Sequence, residues 1–275
     1  MLTFLQNDCT PYPMTDPAHP LFETTAHRRH RLQNLPFPEA WRAILQKNVP
    51  YYAKLPEADR KELKGHIQVL VAEKNFEGCG GLEMTEEIRV TIAAQAGILL
   101  LHREPHYYPD LRSILVYPHA FVVKGFTEQM PGYWMESEQV HLGESWQHGS
   151  LILSWDDVRS GAADIHDGHN VVFHEFAHQL DTENGPADGA PILPRRSMYI
   201  AWARILSHEF EKLREDTQHG RPAFLNPYGA TNAAEFFAVA TEYFFEKPRQ
   251  MLVKEPELYE ELKLFYQQDP ARLDL

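Results

Sequence analysis

An α+β fold is what this sequence predicts: a helical N-terminal part, a small mixed sheet and a helical C-terminus. Three observations carry the prediction. Apolar residues recur at helical spacing between about positions 38 and 101, the period shortens to that of strands between 113 and 155, and helical spacing then returns towards the C-terminus. Helices segregated from a few strands, rather than alternating with them, read as α+β.

Taken in order, residues 1–34 read as an extended arm, because Pro11, Pro13, Pro17 and Pro20 interrupt any periodicity. The basic run His27-Arg28-Arg29-His30-Arg31 at its end reads as a solvated face rather than a binding site. Residues 35–275 read as one domain, helical over 35–105 and carrying the chemistry over 106–275. From Pro38, Trp41, Ile44 and Leu45 fall at helical spacing up to Pro50. A second helix is expected from Pro56-Glu57 to about Lys74, with Leu63, Ile67, Leu70 and Val71 on one side; a proline in the first turn forfeits no hydrogen bond. Cys79-Gly80-Gly81 breaks the chain. Thr85 caps the next helix, with Glu86 and Glu87 in its positive first turn and an Ala-rich stretch, 93–96, that suits burial.

Ser113–Tyr117 and Ala120–Val123 then read as strands parted by Pro118-His119, with Gln139–Gly143 and Ser150–Trp155 as two more. A helix follows, led in by Asn170-Val171-Val172-Phe173 and ended by Gly185-Pro186, with a Gly- and Pro-rich loop over 184–191. Three helices, at about 197–215, 232–246 and 257–268, close the chain.

Composition bounds the function. A net charge of −13 opposes nucleic acid as the main partner, since phosphates would be repelled. Cys9 and Cys79 form no C-x-x-C pair and no disulfide framework, which suits a reducing compartment. Met1–Leu5 is too short for an apolar signal core, and the run Ile98–Leu101 stops at His102-Arg103, far short of a membrane span. A cytoplasmic location is the expectation.

His174-Glu175-Phe176-Ala177-His178 is the stretch that carries chemistry. Positions four apart share a helix face, so His174 and His178 can aim two imidazoles at one zinc ion. Glu175, turned about 100° around the axis, can reach a metal-bound water as general base rather than the metal itself. The bland alternative is two ordinary histidines on a helix. The long zinc signature H-E-x-x-H-x-x-G-x-x-H is excluded, because Asp181 and Asn184 stand where Gly and His are needed.

A catalytic zinc needs a third ligand. Asp181 shares the face of the two histidines but lies about 10 Å along the axis from His174, so it suits the ring N–H of His178 better than the ion, with a solvated Asp near a helix end as the equal alternative. Glu235 is the stronger candidate: it stands where a loop meets a helix, beside Phe236, Phe237 and Val239, and a carboxylate seated there needs a partner. Asn232 and Glu235 also match a capping box, and capping alone remains the competing account. Glu242 could support the site or replace Glu235. Tyr228, seven positions before Glu235, is placed to donate to an oxyanion, with a structural tyrosine as the alternative.

These residues resemble the Mlc titration factor A family of zinc metallopeptidases, over roughly residues 35–270. Beyond the motif, the likeness lies in Lys74-Asn75-Phe76, Ile92–Ala96, Val116-Tyr117-Pro118, Val172–Asp181, Ala234–Val239 and Phe265–Pro270. The spacing of Tyr228 to Glu235 also resembles the catalytic core of the anthrax lethal factor toxin. The resemblance implies a zincin-like core and a cytoplasmic zinc peptidase with aminopeptidase activity. It implies one Zn2+ per chain on His174, His178 and Glu235, with Glu175 as base and Tyr228 as transition-state donor. It further implies a peptide or protein substrate and contact with the Mlc repressor, a regulator of sugar uptake. The rival expectation is a weakly catalytic or non-catalytic protein that sequesters a transcriptional repressor. An edge strand among residues 139–155 is the expected place for substrate backbone.

Overall fold

The computed structural model describes residues 23–130, 133–141, 143–146 and 149–273, with residues 121–146 given by their backbone alone. The first element departs from expectation. Residues within the arm expected to be extended to position 34 form helix α1 (Thr25–Gln33), capped by Thr24, whose Oγ1 accepts from the His27 N–H at 3.3 Å. The basic run is what docks it. Arg28 and Arg29 donate to Glu73 at 2.7 and 2.8 Å, and the Arg29 guanidinium lies 4.7 Å over the Tyr107 ring. A run of His and Arg shows no apolar stripe, so periodicity could not reveal a helix held by ion pairs. The prolines before residue 23 lie outside the described residues.

Helices α2 (Glu39–Asn48), α3 (Pro50–Lys54) and α4 (Glu57–Glu73) follow, with a proline at or just before the first residue of each. Strand β1 (Asn75–Gly78) comes next; it buries only Phe76 and is too short to show alternation, which is why it went unread in the sequence. Thr85 caps α5 (Glu86–Ile98), its Oγ1 accepting from the Ile88 N–H. Helix α5 packs on α4 so closely that a Cβ on Gly97 would fall 2.8 Å from a Leu63 methyl.

The strands are β2 (Ser113–Tyr117), β3 (Phe121–Met130), β4 (Tyr133–His141), β5 (Gly143–Trp146) and β6 (Ser150–Ser154). One sheet has the order β1-β2-β6-β5, with β1, β2 and β6 parallel and β5 antiparallel to β6. It is the small mixed sheet of the expected α+β fold. Strands β3 and β4 form a separate antiparallel hairpin. Trp155, expected to close a strand, instead opens α6 (Trp155–Ala163), because the Ser154 hydroxyl accepts from the Asp157 N–H and caps the helix there.

Helix α7 (Val171–Asp181) carries the motif. It is followed by α8 (Tyr199–Gln218), α9 (Ala233–Glu246), α10 (Pro248–Lys254) and α11 (Pro256–Tyr266). Among these α9 is the pivot. Phe236, Phe237, Phe244 and Phe245 are each 1 % exposed or less, so the helix is apolar over most of its circumference and lies inside the core. At about 1.5–3 kcal/mol per buried aromatic, these four side chains hold α9 in place firmly enough to carry acidic residues inward. Phe173 of α7 meets Phe245 of α9 with ring centroids 5.2 Å apart, so the two helices share one packed seam. Among the described residues, no helix is long and apolar enough to cross a membrane.

Candidate metal centre

Asn170 starts α7. Its side-chain oxygen accepts the backbone N–H groups of Val172 and Phe173 at 3.1 and 3.0 Å, and its amide donates to the Gly161 carbonyl and to Glu246, each at 3.1 Å. With Val172, Phe173, Phe176 and Ala177 buried, the helix has one rotational setting, which presents His174 and His178 on its half-open face.

Glu235 arrives from the first turn of α9. Asn232 caps that helix, accepting the Glu235 N–H at 2.9 Å, so the capping account is half realised. The other half is not: the Glu235 carboxylate turns to the histidines. Its Oε2 lies 3.0 Å from His174 Nε2 and 3.5 Å from His178 Nε2, and the two Nε2 atoms are 3.2 Å apart. Ligands held about 2.1 Å from a tetrahedral zinc stand about 3.4 Å from one another. The donor set and its spacing therefore fit zinc, and the three ligand atoms lie within 4.8 Å of one another.

The rest of the site supports that fit. Glu242, two turns along α9 from Glu235, accepts from His174 Nδ1 at 2.8 Å, which leaves Nε2 free to face the cluster. Its second oxygen accepts the backbone N–H of Asn170 at 2.6 Å, so one carboxylate fixes both a ligand ring and the start of the ligand helix. Glu246, one turn further, accepts the His169 N–H at 3.0 Å. Burial, with the charges of Asp167 and Glu242, pushes its carboxyl up to about 9.

Glu175 is buried, and one of its carboxylate oxygens has no hydrogen-bond partner. Burial raises its pKa against the opposing pull of His174 and His178. A buried carboxylate with an unused acceptor, next to convergent metal donors, is suited to hold and release a proton. At Glu235, burial opposes ionisation, but bonds to His174 and His178 override it and hold the carboxyl at about 2. At His174, burial opposes the proton, and Glu235 with Glu242 overrides it, pushing the ring to about 10.

Tyr228 sits on a 3-10 turn, Pro227–Ala230, begun by Asn226, whose side chain accepts the Tyr228 N–H at 2.9 Å. Its ring lies 6.0 Å from that of His174 and is 55 % exposed, too open for a packing role. Burial of its inner edge, with the charges of Glu235 and Glu175, pushes its hydroxyl up to about 12, so it remains a proton donor at neutral pH.

Asp181 is not where the sequence suggested. It is fully buried, but its carboxylate accepts the Gly189 N–H at 2.8 Å and supports the loop after α7 instead of the ring of His178. The loop is drawn in so tightly that a Cβ on Gly189 would lie 2.6 Å from the Ala233 carbonyl oxygen. Sequence reasoning gave Glu242 only a passing role and did not reach Asn170 or Glu246. A signal was present: Glu235, Glu242 and Glu246 are spaced by seven and four residues along an otherwise apolar helix, which places three acids on one stripe.

Comparison with known proteins places the chain among metallopeptidases. The family described as "Glucose-regulated metallo-peptidase M90" matches residues 24–267. An uncharacterized protein of Synechocystis sp. is 42 % identical over 245 residues, covering 88 % of this chain and 89 % of that one. Proteins called Mlc titration factor A from Yersinia pestis and Yersinia pseudotuberculosis are 30 % identical over 230 residues, covering 82 % of this chain and 84 % of theirs.

Proposed function

This chain belongs to the glucose-regulated metallo-peptidase M90 family, and from that premise we propose that it is a zinc-dependent peptidase, acting as an aminopeptidase, with one zinc per chain held by His174, His178 and Glu235. The observation that carries this reading is the meeting of the Glu235 carboxylate with both imidazoles beside the unused, buried oxygen of Glu175. A bound zinc would supply Lewis acidity, polarising a peptide carbonyl and making water acidic enough to attack it near neutral pH.

The chain's own residues do the remainder. Glu175 accepts the proton of the attacking water and passes it to the leaving amine, and its sheltered position keeps that proton from solvent. Tyr228, protonated and open to solvent, donates its O–H to the developing oxyanion. Glu242 holds His174 in the tautomer that points Nε2 inward. Strand β5 is the edge strand of the mixed sheet that runs beside α7, so it offers backbone groups to an extended peptide.

The aminopeptidase specificity rests on the family resemblance, and a cytoplasmic location rests on the cysteine content. The name of the Yersinia relatives points to the Mlc repressor as a protein partner, which would place this peptidase in the control of sugar uptake. A protein used only to sequester a repressor would need neither Glu175 nor Tyr228 at the cluster. The deciding experiment measures zinc content and hydrolysis of a short free-amine peptide for the parent and Glu175→Gln. The variant should keep zinc and lose hydrolysis. Hydrolysis at the parent rate would remove Glu175 from the base role, and a parent that holds zinc but cleaves no peptide would favour the sequestering protein.

A further inference from the structure

A cleft of about 310 Å³ opens at the other end of the motif helix. Leu180 and Glu183 reach it from the end of α7 and the turn beyond, Leu100, Arg103 and His106 from the segment after α5, and Ile192 from the loop that Asp181 holds. Leu180 lies only two residues past His178 but about 200° around the helix axis from it, so the cleft opens on the face turned away from the His174 and His178 cluster.

Arg103 is the unusual group in it. Its guanidinium lies 4.2 Å over the Phe265 ring, and its side chain is only partly exposed. Among the described residues it joins no ion pair, and its Nη1 is buried without a hydrogen-bond partner. Glu183 is near enough to act on its charge, but that carboxylate pairs with His106 at 3.2 Å instead. A guanidinium keeps its charge at any physiological pH, and a partly buried charge without a counterion is costly to a fold. The surrounding Leu100, Leu180 and Ile192 are apolar. At about 30 Å³ per water-sized group, the cleft has room for roughly ten such groups, the size of one amino acid.

We propose that this cleft is a binding site for a small carboxylate on a branched apolar tail, with the carboxylate at the Arg103 guanidinium and the tail against Leu100, Leu180 and Ile192. A free apolar amino acid and a deaminated branched acid share that chemistry. A ligand there touches the last turn of the helix that carries His174 and His178, yet the site does not depend on the metal reading.

Isothermal titration of the full chain with 4-methylpentanoate, L-leucine and isopentylamine tests it. 4-Methylpentanoate should saturate one site and isopentylamine should not bind. L-Leucine binding at the same site would mark an amino acid as the source, and its failure would mark a deaminated acid. Arg103→Gln should weaken the carboxylate about 10–100-fold, as loss of a charge-assisted hydrogen bond does. Because Arg103 also packs on Phe265, Ile192→Trp at the more exposed rim serves as a second variant and should block the cleft by filling it. Glu235→Ala should leave binding intact. Equal binding of the amine, binding unchanged in both cleft variants, binding lost in Glu235→Ala, or no binding of the carboxylate each overturns the proposal.

Discussion

Glu242→Gln separates the two tasks of one buried carboxylate. Glu242 accepts from His174 Nδ1 at 2.8 Å and from the Asn170 N–H at 2.6 Å, and it is 4 % exposed, so water cannot replace either bond. Glutamine keeps the shape but offers one oxygen; its amide then faces the other N–H, donor against donor. The variant therefore loses one charge-assisted bond, worth about 1.5–3 kcal/mol, or about 10–150-fold in an equilibrium. Where that loss appears depends on which way the amide turns. If the oxygen stays with Asn170, His174 loses its orienting partner and zinc affinity falls by that factor, in line with the 10–100-fold usual for such supports. If it stays with His174, the start of α7 loses an anchor and the metal-free protein loses about 1.5–3 kcal/mol of stability. Chelator competition measures the first and urea unfolding of the metal-free protein measures the second. Zinc affinity within about threefold of the parent together with stability within about 0.5 kcal/mol would refute the reasoning, since both bonds cannot survive the substitution.

Two further outcomes are expected. Tyr228→Phe should lower kcat by about 10²–10³-fold with little change in KM and none in zinc content, because its hydroxyl is needed only when the oxyanion forms; steady-state kinetics with metal analysis checks this, and an unchanged kcat removes the donor role. Glu246→Gln should change the pH dependence of stability. The parent carboxyl sits at about 9 when folded, above its ordinary value near 4.5, so it stays protonated in the fold while the unfolded chain ionises. Parent stability therefore falls as pH rises from about 4.5 towards 9, by up to about 1.4 kcal/mol per unit, and the glutamine variant lacks that slope. Urea midpoints of the metal-free proteins between pH 5 and 8 should diverge in favour of the variant, and parallel curves would count against a neutral Glu246.

Much of the candidate site could be read from the sequence because its residues are local. His174, Glu175 and His178 lie within one turn and a residue of one another, and a four-residue spacing on a helix sets a face without further knowledge. Glu235 and Tyr228 were reachable less directly: the residues left capping and a structural tyrosine as alternatives, and the family resemblance pointed to the pair. Asp181 shows the limit of that reasoning. Helical spacing put it on the histidine face, but the chain turns back after α7, and the Gly189 N–H claims its carboxylate. Helix α1 and strand β1 were missed for related reasons: the first is held by ion pairs to Glu73 and the second by ladder bonds to β2, and neither leaves an apolar rhythm in the sequence.

The seam between α7 and α9 has a consequence for motion. Each helix contributes candidate ligand atoms to the same few ångströms of space, while Glu242 and Glu246 reach from one helix to the start of the other. An ion seated there spans the seam, so neither helix can swing out without releasing it. Backbone amides of α7 and α9 should then exchange with deuterium as one opening unit rather than two, at a rate set by metal saturation. At free zinc about a hundred times its dissociation constant, that opening becomes about 2.7 kcal/mol harder, close to a hundredfold slower exchange in both helices together. Helix α1, tied down by arginines on Glu73, has no share in that unit and should exchange at its own pace whether or not zinc is bound.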